Sequence, residues 1–210
     1  ESISIGPAMQ AFDAMLKDAF AGTEEGITEE NIQSRSRGLT LMALSNKFGH
    51  MVLSTGNKSE MAVGYATLYG DMCGGYNAIK DIYKSKVFQL CEWRNKNFPQ
   101  GSKGPAGNVM PERIITKPPS AELRPDQKDE DSLPPYDVLD GILEAIVEDE
   151  RSLSDIVSAG YDEDTVRRVW SLLDISEYKR RQAPPGPKIT RKNFGKDRRY
   201  PITNSFRREI

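Results

Sequence analysis

The sequence has little cysteine and almost no histidine. Its 210 residues include two cysteines, Cys73 and Cys91, and a single histidine, His50. Two thiols are too few for a disulfide scaffold and suit a reducing compartment, and neither cysteine has a second one near enough to bind zinc. His50 has no acid or nucleophile at a telling spacing, so we interpret it as a turn residue.

Long apolar runs are also missing. No stretch approaches the roughly 20 apolar residues that are needed to span a bilayer. The first residues lack the basic start and the long apolar segment of a signal peptide. We therefore expect a soluble cytoplasmic protein without membrane association.

The chain has no large excess of charge of either sign. It carries 29 lysines and arginines against 31 acidic residues, a net charge of -2, and so has no overall attraction to nucleic acid. Basic residues are dense from Lys179 onward. A basic end often binds phosphate, although a solvated tail agrees equally well with the composition. RNA binding is disfavoured because aromatic residues are not interleaved with the charges, so no nucleic-acid partner is expected.

Two short segments are predicted to be β-strands, residues 2–5 and residues 51–54, the second being continuously apolar. Between them, apolar residues at helical spacing predict a helix over residues 9–20. The alternation of strands and helices indicates an α/β domain with a parallel sheet flanked by helices. Two short strands are few for such a sheet, so we expect a fold that is truncated at its amino end.

A second helix is predicted from about Glu29 to Lys47. Thr28 is its expected N-cap, and Gly49 is expected to end it. The side chains predicted to be buried are Leu39, Met42 and Ala43. Further along the chain we predict a helical carboxyl-terminal part with three helices between residues 138 and 175, and an irregular tail beyond Pro184.

Chemistry is expected where the strand of residues 51–54 ends. Ligands of doubly wound sheets bind outside the carboxyl ends of the strands, which is where Thr55 stands. Ser59 and Glu60 open the next helix, whose first N–H groups are available to phosphate, and the Glu60 carboxylate is the kind of oxygen ligand that Mg²⁺ prefers. The alternative is that Thr55 and Ser59 only cap and that Glu60 only complements the helix dipole.

Other polar residues are weaker candidates. Lys84, Lys117 and Ser120 are possible phosphate contacts, against the alternative of two surface lysines and a serine turn. Arg35 and Arg37 lie two residues apart on a helix, which predicts that at most one of them faces a given ligand. The glycine-flanked carboxylate of Asp71 suits a ligand's hydroxyl or amide groups, although a simple turn aspartate is more common.

Six motifs in series resemble the NAD synthetase family. They are NIQSRSRG at residues 31–38, STGNKSE at 54–60, YGD at 69–71, KPPSAEL at 117–123, EYKRR at 177–181 and GPKIT at 186–190. The last is typical of the glutamine-dependent branch of the family. Because the motifs occur in order across nearly the whole chain, together they are far more specific than any one of them.

The resemblance implies an adenine-nucleotide α-hydrolase-like fold and a two-step amidation of deamido-NAD to NAD. The nicotinate carboxylate first attacks the α-phosphorus of ATP to form an adenylated intermediate, and ammonia then displaces AMP. It implies ATP and Mg²⁺ as requirements, deamido-NAD and glutamine-derived ammonia as partners, and a homo-oligomer.

The resemblance also implies roles for individual residues. Thr55, Lys84 and Ser120 match positions at which the family binds ATP. Glu60 matches a position that contacts deamido-NAD or the metal. The remaining positions matching deamido-NAD contacts are Asn31, Tyr65, Ala66, Thr67, Leu68 and Lys179.

Two parts of the family pattern are not found in the sequence. One is the Ser-Gly-Gly-x-Asp-Ser loop that cradles pyrophosphate, and the other is the amidase domain with its nucleophilic cysteine. We therefore expect a fragment: residues 1–183 as a partial synthetase domain and residues 184–210 as its basic tail, inactive on their own. The alternative is a non-catalytic remnant that binds a nucleotide or a partner.

Overall fold

The computed structural model describes residues 2–203, which contain nine α-helices and two short strands. The elements are α1 (Gly6–Leu16), α2 (Ile27–Phe48), β1 (Leu53–Ser54), α3 (Lys58–Val63), β2 (Tyr76–Asn77), α4 (Lys84–Lys96), α5 (Glu112–Thr116), a 3-10 turn (Asp129–Asp131), α6 (Tyr136–Val147), α7 (Leu153–Ser158), α8 (Glu163–Ile175) and α9 (Glu177–Arg180). None of these helices is long and apolar enough to cross a bilayer.

The two strands pair in parallel, with Leu53 opposite Tyr76 and Ser54 opposite Asn77. The prediction of a parallel sheet is confirmed, and that of a strand in residues 51–54 holds for Leu53–Ser54 only. Leu53 is 59% exposed, so the strand is not buried on both faces as its apolar sequence suggested. A parallel pair requires a crossover connection, and α3 supplies it. Because β1 leads directly into α3, the carboxyl end of the strand faces the start of that helix.

The predicted strand at residues 2–5 is wrong. This segment has no regular structure, and α1 begins at Gly6 with Pro7 in its first turn. Proline suits this position because its fixed φ matches a helix and its missing N–H would have no helical partner. The Ser4 hydroxyl accepts a hydrogen bond from the Gly6 N–H at 3.2 Å. Gly6 and Pro7 therefore open a helix instead of closing a strand.

Helix α2 ends as predicted but begins differently. Gly49 adopts a left-handed conformation with φ of 67° and donates its N–H to the carbonyl of Ser45, as a glycine C-cap does. The N-cap is Gly26 and not Thr28. Its N–H donates to the Glu29 carboxylate at 2.6 Å, and this capping contact stabilises a helix that begins directly after Gly26.

The buried face of α2 also differs from the prediction. Leu39 is 70% exposed and Ala43 is exposed, whereas Ser34, Ser36 and Gly38 are buried. Small residues line this face because the backbone of residues 69–70 passes directly over it. A Cβ added at Gly38 would lie 2.9 Å from the carbonyl oxygen of Gly70.

The hydrophobic core lies in the carboxyl-terminal helices. Apolar side chains on one face of α6 and of α8 are almost fully buried, and α3 packs on both helices. The side chains at 0–1% exposure in these two helices are Leu139, Ile142, Leu143, Ile146, Val147, Val166, Val169 and Leu173. Burying each contributes about 1.5–3 kcal/mol. The six-residue helix α3 is therefore held by packing and not by its own length.

Residues 184–203 contain no helix or strand, as the prediction of an irregular tail requires, but they pack on the rest of the chain. Phe194 is 7% exposed. The Lys58 ammonium is fully buried and lies 2.5 Å from Glu148 Oε1 and 3.1 Å from Asp81 Oδ1. It also donates to the carbonyl of Lys192 at 2.7 Å, which ties the carboxyl-terminal segment to α3.

Candidate functional site

A cavity of about 760 Å³ opens at the carboxyl end of β1, between α2, α3 and the segment around residue 120. It is lined by all ten residues that the family resemblance matched to ATP or deamido-NAD positions, although they are scattered over 149 positions of the chain. They are Asn31, Thr55, Glu60, Tyr65, Ala66, Thr67, Leu68, Lys84, Ser120 and Lys179. Their roles remain predictions, but the fold brings them together at one place.

The floor of the cavity is the turn between β1 and α3. Thr55 is exposed immediately after the strand, and the carbonyl of Gly56 accepts a hydrogen bond from the Asn77 side chain at 2.8 Å. Asn57 then caps α3, its Oδ1 accepting from the Glu60 N–H at 3.0 Å. Contacts from the neighbouring strand and from the helix start therefore hold the turn in place.

Glu60 makes two contacts with opposite implications. Its Oε2 accepts a hydrogen bond from the Asn57 N–H at 3.1 Å, which is the capping contact of the alternative interpretation. Its Oε1 forms an ion pair at 3.0 Å with Lys84, and both side chains are about one-fifth exposed, at 18% and 20%. The capping geometry is present, and the same carboxylate also meets a cation at the cavity wall.

Ser59 does not line the cavity. It is fully buried, donating its hydroxyl to Asp140 Oδ1 at 2.5 Å and accepting from the Lys84 N–H at 2.9 Å. Asp140 also accepts from the Ser85 N–H at 2.8 Å. Ser59 and Asp140 therefore fix the start of α4, and this places the Lys84 ammonium beside Glu60.

The far wall is the segment of residues 64–71. The Lys179 ammonium donates to the carbonyls of Gly64 and Ala66, each at 2.7 Å, and burial lowers its pKa while Asp71 opposes the shift. Asp71 accepts from the Thr67 N–H at 2.7 Å. The Thr67 hydroxyl donates to the Asn31 side chain at 2.9 Å. Residues predicted to bind the dinucleotide thus also hold this wall in shape.

Asp71 contributes a carboxyl group to the cavity wall. Desolvation raises the pKa of its carboxyl group, against the hydrogen bond from the Thr67 N–H and one from the Ser34 hydroxyl at 3.3 Å. Cys73 also lines the cavity, and burial raises the pKa of its thiol. A raised thiol pKa disfavours the reactive thiolate form.

Both Arg35 and Arg37 line the cavity. The prediction that at most one of them faces a given ligand stays a prediction. The Arg35 guanidinium donates to the carbonyl of Leu68 at 3.1 Å, and that of Arg37 donates to Gln33 at 3.1 Å. Long arginine side chains reach around a helix, so a wide cavity can meet two residues that leave the helix in different directions.

Lys117 is not among the lining residues. It pairs with the exposed Glu122, whose N–H donates to the Ser120 hydroxyl at 3.1 Å. Ser120 therefore makes the local serine turn that was the alternative interpretation, and it lines the cavity as well. The interpretation of Lys117 as a surface lysine fits this arrangement.

Asp129 was missed by the reasoning from sequence. It is 3% exposed, lines the cavity and accepts a hydrogen bond from the Tyr136 hydroxyl at 2.7 Å. Burial raises the pKa of Tyr65 and of Tyr136, and the negative charge of Asp129 adds to both shifts. Nothing in the run Lys128–Asp131 distinguishes its buried acid from the exposed acids beside it, so no local signal could have identified it.

Metal-binding groups are sparse. Within residues 2–203 no cluster of three or more histidine, cysteine, aspartate or glutamate side chains could hold a metal ion by itself. Glu60 offers at most one carboxylate, and that carboxylate is paired with Lys84.

A parallel strand pair with a cavity at its carboxyl end is the arrangement found at the ligand sites of open α/β sheets, and it defines the class as an α/β protein. The solved glutamine-dependent NAD(+) synthetase of Cytophaga hutchinsonii matches it with a TM-score of 0.77 over 100% of this chain and 35% of that chain, at 24% identity. This likeness shows that the two proteins share a fold, in agreement with the expected α/β architecture.

The family model described as NAD synthase matches residues 1–183. The chain therefore belongs to the NAD synthase family, which confirms the resemblance seen in the motifs. It is 59% identical to the glutamine-dependent NAD(+) synthetase of Xanthomonas campestris pv. campestris over 98% of this chain and 36% of that protein. The Acinetobacter baumannii glutamine-dependent NAD+ synthetase, solved in complex with ADP, is 46% identical over 94% of this chain and 34% of that chain, with a TM-score of 0.50.

The chain spans just over a third of the length of the Xanthomonas relative.

Proposed function

We propose that this chain is the part of a glutamine-dependent NAD synthetase that binds ATP and deamido-NAD and joins ammonia to the nicotinate carboxylate. The observation that carries the proposal is the meeting of all ten sequence-predicted residues in one cavity. The names of the relatives support the reaction class, and the ADP complex of the Acinetobacter protein supports adenine-nucleotide binding.

In the first step the nicotinate carboxylate attacks the α-phosphorus of ATP and pyrophosphate leaves. Thr55, Lys84 and Ser120 would hold the triphosphate, since they offer two hydroxyls and one ammonium along one side of the cavity. Lys84 pairs with Glu60 when no phosphate is present, and a phosphate oxygen can replace that carboxylate. Positioned positive charge of this kind stabilises phosphoryl-type transition states.

Mg²⁺ fits this site as a partner of phosphate and not as an ion held by the protein alone. Magnesium is usually bound by one or two carboxylates together with substrate phosphates, and Glu60 supplies one carboxylate once Lys84 contacts phosphate. When bound, the ion would neutralise phosphate charge. Every other contact in the proposal is made by side chains of this chain.

Deamido-NAD would lie along the opposite wall, against Asn31, Lys179 and residues 65–68. The Lys179 ammonium donates to two neutral carbonyls there, and these contacts do not neutralise the positive charge that would attract a dinucleotide phosphate. In the second step ammonia attacks the activated carbonyl and AMP leaves, which gives the amide. Ammonia would come from glutamine through an amidase domain that is not in this sequence.

The proposal extends to domain boundaries, location and assembly. Residues 1–183 would be part of the synthetase domain and residues 184–210 its basic tail. The protein would act in the cytoplasm. It would form a homo-oligomer, because apolar side chains such as Leu39 and Phe48 of α2, at 70% and 60% exposure, suit a covered surface.

The test uses the complete product of the gene that encodes this chain, with ammonium supplied directly. We expect NAD to form, and pyrophosphate to be released from ATP when deamido-NAD is present and ammonium is withheld. Binding of both nucleotides without pyrophosphate release would contradict the enzyme proposal and favour the non-catalytic remnant.

A further inference from the structure

One oxygen of Asp129 has no hydrogen-bond partner. The residue is 3% exposed, and Oδ1 is the one buried side-chain nitrogen or oxygen within residues 2–203 that lacks a donor or acceptor. Leaving such a group unsatisfied costs about 1–3 kcal/mol, and more when it is charged. Buried polar atoms without partners are rare in folded proteins, and a binding role is one explanation for them.

Two hydrogen bonds hold the position of this oxygen. The Asp129 N–H donates to the carbonyl of Pro119 at 3.0 Å, which closes the loop that carries Ser120. Its Oδ2 accepts from Tyr136, a buried residue at the start of α6. Rotating the carboxylate would break the contact with Tyr136, so the fold maintains the position of Oδ1.

No cation among the described residues neutralises the Asp129 carboxylate. No lysine or arginine among the described residues forms an ion pair with Asp129, and the nearby Lys84 pairs with Glu60 while it lies 5.4 Å from the centre of the Tyr136 ring. Burial first, then the negative charge of Asp129 and a hydrogen bond between the two side chains, raise the pKa of Tyr65. The neighbours of the Asp129 carboxylate are therefore tyrosine hydroxyls and not cations, a setting that suits a further ligand with N–H or O–H bonds.

We infer that Asp129 Oδ1 accepts a hydrogen bond from an N–H or O–H group of a ligand in the cavity. This rests on the proposed function, which provides two sources for that group. One is the nitrogen nucleophile, bound as ammonium before its attack. The other is a hydroxyl or amine of ATP or of deamido-NAD. In either case Asp129 is a ligand-binding residue. Its backbone N–H also holds the loop that carries Ser120, so a ligand bound to Asp129 would stabilise that loop.

The experiment compares Asp129→Asn with Asp131→Asn in the complete gene product. Asparagine preserves the size of the side chain and removes its charge, and Asp131 is an exposed neighbouring acid outside the cavity lining. Calorimetry measures the Kd of ATP and of deamido-NAD for each variant, and initial rates give the KM for ammonium with both nucleotides saturating.

We expect Asp129→Asn to weaken at least one of these constants about tenfold, while Asp131→Asn changes each by less than about twofold. A change in the ammonium KM alone identifies the nucleophile as the donor, and a change in one nucleotide Kd identifies that nucleotide. Unchanged values for all three ligands overturn the inference.

A second variant covers the case in which Asp129→Asn does not fold. Asp129→Glu keeps the charge and displaces the oxygens, so it should weaken the same ligand. The two nucleotide Kd values do not depend on turnover. If the wild-type protein binds nucleotides but releases no pyrophosphate, the proposed function fails, and the binding comparison still decides the role of Asp129.

Discussion

At the scale of single residues, the cavity depends on side chains with two tasks. Glu60 both caps α3 and pairs with Lys84, and Ser120 both closes a turn and lines the cavity. The stabilising value of such contacts is small. A carboxylate at a helix start contributes about 0.3–1 kcal/mol. An ion pair near the surface contributes about 0–1 kcal/mol. A large loss of activity on substitution of Glu60 or Ser120 would therefore indicate a role in ligand binding and not a loss of folding stability.

Glu60→Gln separates the two tasks. The amide oxygen can still accept from the Asn57 N–H, but the ion pair with Lys84 and the charge that could meet a metal are lost. We expect NAD formation with added ammonium to fall at least about tenfold, equal to 1.36 kcal/mol of barrier, with little change in Tm. The control is Glu163→Gln, at the start of α8 and outside the cavity lining. If Glu60→Gln forms NAD as fast as Glu163→Gln does, then Glu60 only stabilises the start of α3 and has no role in binding.

Tyr136 gives a prediction about pH. Its pKa is raised above the ordinary value of 10.0 by burial first, then by the charges of Glu60 and Asp129. Above about pH 10 the unfolded chain has released this proton and the folded chain has not, so the stability that the tyrosine contributes falls as pH rises. Tyr136→Phe should lower the free energy of unfolding by about 1.5–3 kcal/mol at neutral pH, through loss of the hydrogen bond to a carboxylate.

The difference between wild type and Tyr136→Phe should then narrow above about pH 10, because the phenylalanine has no proton to lose. Urea unfolding at about pH 8 and about pH 11 measures this change. Tyr178→Phe, at a side chain that is 41% exposed, is the control. A difference that stays constant across this range would contradict the direction of the pKa shift.

At the scale of elements, the close contact between α2 and residues 69–71 shapes the cavity wall. It requires glycine at position 38, because a Cβ there would lie 2.9 Å from the Gly70 carbonyl and 3.0 Å from that of Tyr69. Both neighbours are backbone atoms, so relief would require the wall to move. The same wall carries Thr67 and Leu68, which are predicted to contact deamido-NAD.

Gly38→Ala should therefore weaken deamido-NAD binding more than it weakens ATP binding. Alanine favours a helix interior over glycine by about 1 kcal/mol, so any net loss of stability reports the collision with the wall. The control is Asn46→Ala on an exposed face of α2. Calorimetry with each nucleotide measures the effect, and a Kd for deamido-NAD within twofold of wild type would show that the wall adapts.

At the scale of the whole molecule, Lys58 joins parts of the chain that are far apart in sequence. Its ammonium contacts Asp81, Glu148, Thr190 and the carbonyl of Lys192. Lys58 is also the first residue of α3, so the irregular segment beyond residue 184 stabilises the helix that carries Glu60.

Lys58→Met should lower the free energy of unfolding by about 3–5 kcal/mol, since it leaves the buried carboxylate of Asp81 and the partly buried one of Glu148 without their cation. Lys86→Met, at an exposed position of α4, should change it by less than about 0.5 kcal/mol. Urea unfolding measures both. A small effect of Lys58→Met would show that the carboxyl-terminal segment is held by packing of residues such as Phe194 alone.

Local patterns were sufficient for some of these features. The C-cap at Gly49, the three carboxyl-terminal helices and the strand before Thr55 follow from glycine chemistry and from apolar periodicity. The strand predicted at residues 2–5 failed because the proline that follows opens a helix equally well. The prediction that Leu39 is buried was wrong because apolar periodicity does not show which face of a helix packs against another segment of the chain and which face is exposed to solvent.

The sequence by itself determined the family, the type of fold and ten of the residues that line one cavity. It could do so because the motifs occur in the family's order, and each motif can be matched to its position without knowledge of the tertiary structure. Only the tertiary structure decided which charges are paired and buried. Lys58 resembles any surface lysine in the sequence, and Asp129 any acid of an exposed run. Burial and pairing depend on segments that lie far apart along the chain and meet only after packing, so no local pattern contains them.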